Sequence, residues 1–268
     1  MISVLMGVYY RGEDLEPLRK SVGSILNQSF TDFEFLICDD GSTEAAGKLL
    51  EEMGRSDARI RLIRKGNLSS LPRKLNACLA EAAGEYFARM DDDDVSHDDR
   101  FDKQLAALRS MPDIAFVGSC VELRRAGKKA GYRRLPEFPQ IKDFYFTQPY
   151  IHPALMFRSE ALTAVNGYSE DKRCILCEDY DLLLRLYAKG FRGMNLQEAL
   201  LDYTVPVTAK GGRKMRHRWN EAVTRWRRFR ELGVLPGALP YVVKPLAVGL
   251  VPEPLLSRMK NGMGKQRE

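Results

Sequence analysis

The sequence has no run of roughly 18 uninterrupted apolar residues, so nothing in it reads as a membrane-spanning helix. It also has no basic n-region and no small-residue cleavage site near its start. No secretory leader is therefore read, and the chain is expected to be made and kept in the cytoplasm. Cysteine is scarce: Cys38, Cys78, Cys120, Cys174 and Cys177 are odd in number and mostly scattered. That argues against a disulfide framework and fits a reducing compartment. Cys174 and Cys177 form a C-x-x-C pair, but no second pair or nearby histidine cluster completes a zinc site. Internal repeats and low-complexity tracts are missing as well.

What remains is ordinary globular material: 268 residues, 44% hydrophobic and 29% charged, enough for one large α/β domain or a domain with an appendage. The net charge of +6 is unevenly placed. Residues 208–268 hold 14 Lys/Arg against 4 Asp/Glu, a balance of +10, which leaves −4 on the rest of the chain. An acidic body with a basic tail suggests an anionic partner for the tail: nucleic acid, a membrane surface or a phosphorylated substrate.

The run Ile2–Val8 shows no polar alternation, as expected of a buried central strand. Leu15, Leu18, Val22, Ile25 and Leu26 recur at helical spacing and predict a helix over 14–27. Residues 33–38, 60–63 and 86–90 read as further strands, with helices at 43–53 and 72–82 between them. This alternation predicts a mostly parallel sheet with helices on both faces. Ligands on such a sheet bind beyond the carboxyl ends of the strands. Tyr9–Tyr10, Asp39–Asp40 and Asp91–Asp94 stand at three such ends and are expected to converge on one cleft. The second part is less regular. Helices are expected at 99–110, 159–165, 178–189 and 214–232, strands at 114–123 and 154–157, and a basic connection over 124–148. Residues 239–259 mix apolar runs with prolines, which are expected to break any single long helix.

Four consecutive aspartates repel one another, and folding avoids collecting them without a counterion. A hard divalent cation, Mn²⁺ or Mg²⁺, supplies that charge through carboxylate oxygens, commonly together with substrate phosphates. The plainer alternative is a solvated acidic loop ahead of a helix. Their position directly after an apolar strand favours the metal. Asp39 and Asp40 could accept from the imino N–H of a pyrimidine, or simply form a turn, since Asp-Gly-Ser is good turn chemistry. Tyr9 could stack on a base or pack in the core. Glu178 and Asp179 could serve as a general base at a hydroxyl, or only complement a helix dipole. Arg73 and Lys74 could meet a diphosphate or be solvated charge. His152 is either a contact to acceptor or phosphate, or a structural histidine.

In order, the segments SVLMGVYY, SVGSILNQSFTDFEFLICDDGST, LNACLAEAAGEYFARMDDDD, DDRFDKQLAAL, IHPALMFRSEAL, NGYSED and CEDYDLLLRLYAKG resemble glycosyltransferase family 2. These are inverting enzymes with a GT-A fold, and the likeness is to bacterial members that build exopolysaccharide or lipopolysaccharide. The resemblance implies an enzyme that moves a sugar from a UDP-sugar to a hydroxyl of a glycan or lipid-linked glycan. By the same resemblance Tyr9 stacks on the base, and Asp40, with Asp39 beside it, reads uracil. Asp91 and Asp93 fall on the D-x-D motif that holds Mn²⁺ or Mg²⁺, with Asp92 in its variable middle place and Asp94 facing the donor sugar. Asp179 falls on the acid that serves as base, Glu178 supports the acceptor site and Arg73 holds the diphosphate.

Two departures stand out. Tyr203-Thr204-Val205-Pro206 lacks the histidine of the family's Tyr-Arg-x-His stretch, and Tyr10 stands where asparagine is common. Residues 1–207 are expected to form the catalytic domain, with a nucleotide half over about 1–98 and an acceptor half over about 99–207. Residues 208–268 are expected to form a basic helical extension. Its Arg225–Arg230 cluster, Lys244, Arg258 and Lys260 would rest on an anionic inner membrane face, or the extension would pack on the domain. A nucleotidyltransferase that makes nucleotide-sugars is the rival enzyme, but the stretch Gly7–Gly12 is not the Gly-rich loop it would need. A nucleic-acid-binding protein would leave the aspartates unexplained, so no nucleic acid is expected.

Overall fold

In the computed structural model, which describes residues 1–205 and 214–251, the N-terminal apolar run forms β1 (Ile2–Val8), buried along its whole length. Full burial of each Val, Leu or Ile there stabilises by about 1.5–3 kcal/mol. α1 (Glu16–Leu26), β2 (Phe33–Asp39), α2 (Glu44–Ser56), β3 (Ile60–Arg64), α3 (Leu71–Glu81) and β4 (Tyr86–Met90) follow, as the alternation predicts. β1 pairs in parallel with both β2 and β4, and β2 with β3. The period of two along β1 divides the core. Ile2, Val4, Met6 and Val8 join Leu18, Ile25 and Leu50 of α1 and α2, whereas Leu5 joins Leu75 and Cys78 of α3 on the opposite face.

Beyond β4 come β5 (Val95–Ser96), α4 (Arg100–Ser110), β6 (Phe116–Arg125), β7 (Lys128–Arg133), α5 (Asp143–Phe146), β8 (Met156–Arg158), α6 (Ser159–Ala164), α7 (Glu178–Ala188), β9 (Gly193–Thr204), α8 (Met215–Glu231) and α9 (Leu235–Leu250). The sheet runs β3-β2-β1-β4-β8-β6-β9-β5, with β7 paired to β6. Pairing is parallel through the first four strands and between β6 and β9, and antiparallel around β8. Gln28 ties the two halves. Its amide donates to the Ser24 and His97 carbonyls, and its oxygen accepts from the Phe101 amide.

Two expectations for the second half need correction, and one strand there had no expectation. The 124–148 connection holds β7 and α5, and β9 is a long strand with no clear periodic signal. α9 runs unbroken through Pro240 and Pro245. A helix-interior proline costs about 3 kcal/mol, and α9 holds two; burial of Ala238, Val242 and Pro245 itself offsets part of that loss. The expected boundary at 207/208 and the tail residues Arg258 and Lys260 lie outside the described residues. Among the described residues no helix is long and apolar enough to cross a membrane. All five cysteines are free and buried.

Candidate active site

At the end of β2 the carboxylates hold the neighbouring backbone. Asp39 accepts from the Ser42 amide (3.0 Å) and hydroxyl (2.6 Å), and the Ser42 hydroxyl accepts from the Tyr10 amide (2.8 Å). Gly41 makes this turn possible at φ +83°, which costs glycine little. Asp40 accepts the Leu68 amide on one oxygen and the Ser69 amide on the other, both at 2.7 Å. That clamp sustains left-handed backbone at Asn67 and Ser69, conformations that disfavour non-glycine residues.

Tyr9, after β1, is 51% exposed. The Arg11 guanidinium lies 4.3 Å from its ring centroid and donates to its hydroxyl. The Lys74 ammonium lies 5.6 Å from the same ring. Lys74 is buried and donates to the Val8 carbonyl (3.2 Å). Burial lowers its pKa, and the charges of Asp40, Asp92 and Asp39 oppose that shift. Its neighbour Arg73 pairs instead with Glu170 at 3.3 Å in an exposed place. Lys74 is therefore the α3 cation set among the strand-end acids.

At the end of β4 the arrangement is different. Arg89, inside the strand, is 1% exposed and donates to Asp91, while its Nε and Nη1 have no hydrogen-bond partner. Carboxylate oxygens of Asp91, Asp93 and Asp94 lie within 4.8 Å of one another. One Asp94 oxygen accepts the Thr204 amide (2.7 Å), and the other is buried without a partner. The Thr204 hydroxyl donates to the Asp93 carbonyl (2.6 Å), so the stretch without the histidine still closes over these acids. Burial, then neighbouring like charge, raises Asp93 to about 6 and Asp94 to about 8, and raises Asp92 as well. Tyr203 is raised to about 12 by burial and by Asp94, Asp91 and Asp93. An all-oxygen set with an open Asp94 oxygen and too little positive charge of its own fits a hard divalent cation.

The α7 acids stand at the N-terminus of that helix. Asp179 accepts from the Gln148 side-chain amide (2.9 Å). Glu178 Oε2 is buried without a partner, and burial followed by the Asp179 charge raises Glu178 to about 7. His152 is buried with Nε2 on the Tyr168 hydroxyl (2.8 Å), and burial together with Arg89 holds its pKa well down. It is a neutral histidine behind Tyr168. Tyr168 is in turn raised by burial and feels Arg89, Asp179, Asp91 and Glu178.

Arg89 and Tyr168 thus join the β4 acids and the α7 acids in one electrostatic neighbourhood. Lys74 and Tyr10 reach it from the other side, since Tyr10 feels Asp92 and Asp93. Tyr9, Asp39, Asp40, Asp91, Asp92, Asp93, Asp94, Glu178 and Asp179 gather at this end of the sheet, with His152 one layer beneath and Arg73 turned to Glu170. Arg89, Tyr168, Gln148, Thr204 and Arg11 escaped the sequence reading. Only Arg89 had a signal there, as a charge inside an apolar strand.

A family model described as Glycosyl transferase family 2 matches residues 3–166. The chain is 33% identical over 259 residues to EpsE of Bacillus subtilis, a protein named as a glycosyltransferase, covering 96% of this chain and 92% of that one. It is 27% identical over 203 residues to an Escherichia coli UDP-Gal:alpha-D-GlcNAc-diphosphoundecaprenol beta-1,3-galactosyltransferase, covering 75% and 72%. Two solved structures share the fold, which is of the GT-A type. S. aureus TarS 1–349 in complex with UDP-GlcNAc matches at TM-score 0.68 and 16% identity, covering 91% of this chain and 72% of that one. A mannosyltransferase from Pyrobaculum calidifontis in complex with GDP-Man and Mn²⁺ matches at 0.63 and 16%, covering 98% and 79%.

Proposed function

The chain belongs to glycosyl transferase family 2 and is a glycosyltransferase, and from that premise we propose that it moves a sugar from a UDP-sugar to a glycan hydroxyl with inversion. The observation that carries this reading is the cluster of Asp91, Asp93 and Asp94 carboxylates within 4.8 Å of one another at the end of β4. The UDP-GlcNAc in the TarS structure and the UDP-Gal in the E. coli relative's name support the choice of donor.

Asp93, Asp91 and Asp94 would hold Mn²⁺ or Mg²⁺, which when bound neutralises charge developing on the leaving diphosphate. Tyr9 stacks on the base. Asp40 orders the 66–70 loop with one lone pair of each oxygen and keeps another to accept a uracil imino N–H. Lys74 adds positive charge beside the phosphates, in the place expected of Arg73. Asp94 would stand beside the donor sugar. Asp179, oriented by Gln148, takes the acceptor proton as the hydroxyl attacks the anomeric carbon from the far face. Glu178 beside it shapes the acceptor site. A sugar held α to UDP leaves as a β-linked product. Residues 1–205 form the catalytic unit in this reading, and the acceptor is a glycan, free or lipid-linked, of cell-surface polysaccharide synthesis. The basic C-terminal region then brings the enzyme to an anionic membrane where such acceptors reside.

The test is a UDP-release screen across UDP-sugars with Mn²⁺ present. Release from one donor, dependent on an added acceptor, is expected. Silence with every donor, joined to consumption of UTP with a sugar phosphate, would hand the site to the nucleotidyltransferase alternative.

A further inference from the structure

α8 carries six arginines; Arg218 donates to the Pro245 carbonyl of α9, and the other five divide between two uses. Three hold the helix to the body. Arg225 donates to the Tyr145 carbonyl (2.7 Å), Arg227 pairs with Asp171 (2.9 Å) and Arg228 pairs with Asp181 (2.7 Å). Lys244 of α9 is likewise engaged, lying 3.3 Å from the Phe146 ring centroid and donating to the Phe146 carbonyl. Most of the charges expected at a membrane are therefore turned inward.

The outward faces are of another kind. On α8, Met215, Trp219, Trp226 and Arg230 are exposed at helical spacing, with Arg216 beside them. On α9, Leu239, Val243, Ala247 and Leu250 are exposed, together with Pro236 and Pro240, and no exposed residue of that helix is charged. Trp219 is 59% exposed and Leu250 78%. Exposed apolar side chains at this density on two adjacent helices normally have a partner. Trp combines an apolar body with one polar N–H, which suits the boundary between headgroups and acyl chains. The arginines at its edge, in a region of balance +10, suit anionic headgroups. No described helix is long and apolar enough to cross a membrane.

Its position relative to the chemistry is informative. α8 packs behind the start of α7: Thr224 meets Cys177 at 3.4 Å, and Asn220 donates to the Lys172 carbonyl (3.3 Å). Glu178 and Asp179 follow directly.

We propose that the outward face of the α8–α9 hairpin lies on an anionic membrane surface and so sets the acceptor acids beside a lipid-linked glycan. The second half of that statement rests on the transferase reading; the first does not.

The chain's two tryptophans are both on this face, so fluorescence reports on it alone. Full-length protein is mixed with vesicles of phosphatidylcholine, or of phosphatidylcholine and phosphatidylglycerol in equal parts. Sedimentation with the anionic vesicles and a blue shift of tryptophan emission are expected, and neither with the neutral ones. The pairs Trp219→Ser/Trp226→Ser and Leu239→Ser/Val243→Ser should each weaken partitioning about tenfold. Arg216→Glu/Arg230→Glu should do so by a similar factor of about ten and flatten the salt dependence. UDP release with a soluble acceptor should be unchanged in all three. Wild-type protein that ignores anionic vesicles, variants that bind like wild type, or a concentration-dependent dimer that buries this face would each overturn the proposal. Vesicle binding without UDP release from any donor would instead sink the transferase reading and leave the surface standing.

Discussion

The ends of β2 and β4 carry aspartates along the same edge of the sheet, but those aspartates are held in opposite ways. Asp39 and Asp40 are buried and accept from Ser42, Leu68 and Ser69 at 2.6–3.0 Å. Buried carboxylates in that state are finished architecture, a rigid wall that needs no ligand to be stable. At the end of β4 three carboxylates crowd within 4.8 Å, Asp94 keeps a buried oxygen unpartnered, and Arg89 beneath them has two unpartnered nitrogens. Buried polar groups in that condition favour a partner from outside the chain, water or ligand. Glu178, with a buried unpartnered oxygen, belongs with the β4 end. Unmet demand, more than acidity, separates the reacting part of the cleft from its frame.

The largest break in this contrast comes from the acceptor side. Asp179→Asn keeps the Gln148 contact geometry but removes the base, and should lower turnover by about 10²–10⁴-fold with UDP affinity retained, as steady-state kinetics and calorimetry would show. Next, Arg89→Met removes the buried guanidinium that donates to Asp91. A loss of about 3 kcal/mol in denaturant unfolding is expected, because Asp91 is left without its counter-charge. By contrast, Asp40→Ala orphans the Leu68 and Ser69 amides. It should cost about 2 kcal/mol and raise the UDP-sugar KM, whether or not Mn²⁺ is present.

The smallest effect is one of pH. Folding raises Asp93 to about 6, Glu178 to about 7 and Asp94 to about 8, all above their ordinary values. Carboxyls shifted upward stabilise the fold while protonated and lose that contribution as pH rises through the shifted values. Metal-free protein should therefore melt lower at about pH 8 than at about pH 5, and added Mn²⁺ should recover more at the higher pH. Thermal scans at the two pH values with and without Mn²⁺ measure it. A metal-free Tm that rises between them would show that the β4 acids are as well satisfied as those of β2.

Much of this was readable from residues alone, and the parts that were not have definite causes. The first four strands are buried on both faces or flanked by periodic helices, so hydrophobic pattern located them, and the polar clusters followed from where the strands stop. Lys74 and Arg73 are adjacent on one helix, and only packing decides which faces the cleft. Arg89 lies in YFARM, where strand pattern says nothing of which buried charge a neighbouring acid will meet. α9 runs through its prolines where it packs through Ala238, Val242 and Pro245, and that packing is not visible in local propensity. Thr204 lies where the family's histidine stretch is absent, and its use of a backbone amide to hold Asp94 leaves no trace in side-chain type. The roles of Asp40, Asp93 and Asp179 came from resemblance to relatives, since composition and spacing alone left each with a plain alternative.

The most direct measurement is UDP binding by calorimetry in EDTA and in Mn²⁺, for wild type and Asp93→Ala. Mn²⁺ should tighten UDP binding to the wild type at least about tenfold and leave the variant unchanged. Equal affinity with and without Mn²⁺ in the wild type would contradict a cation held by the β4 acids.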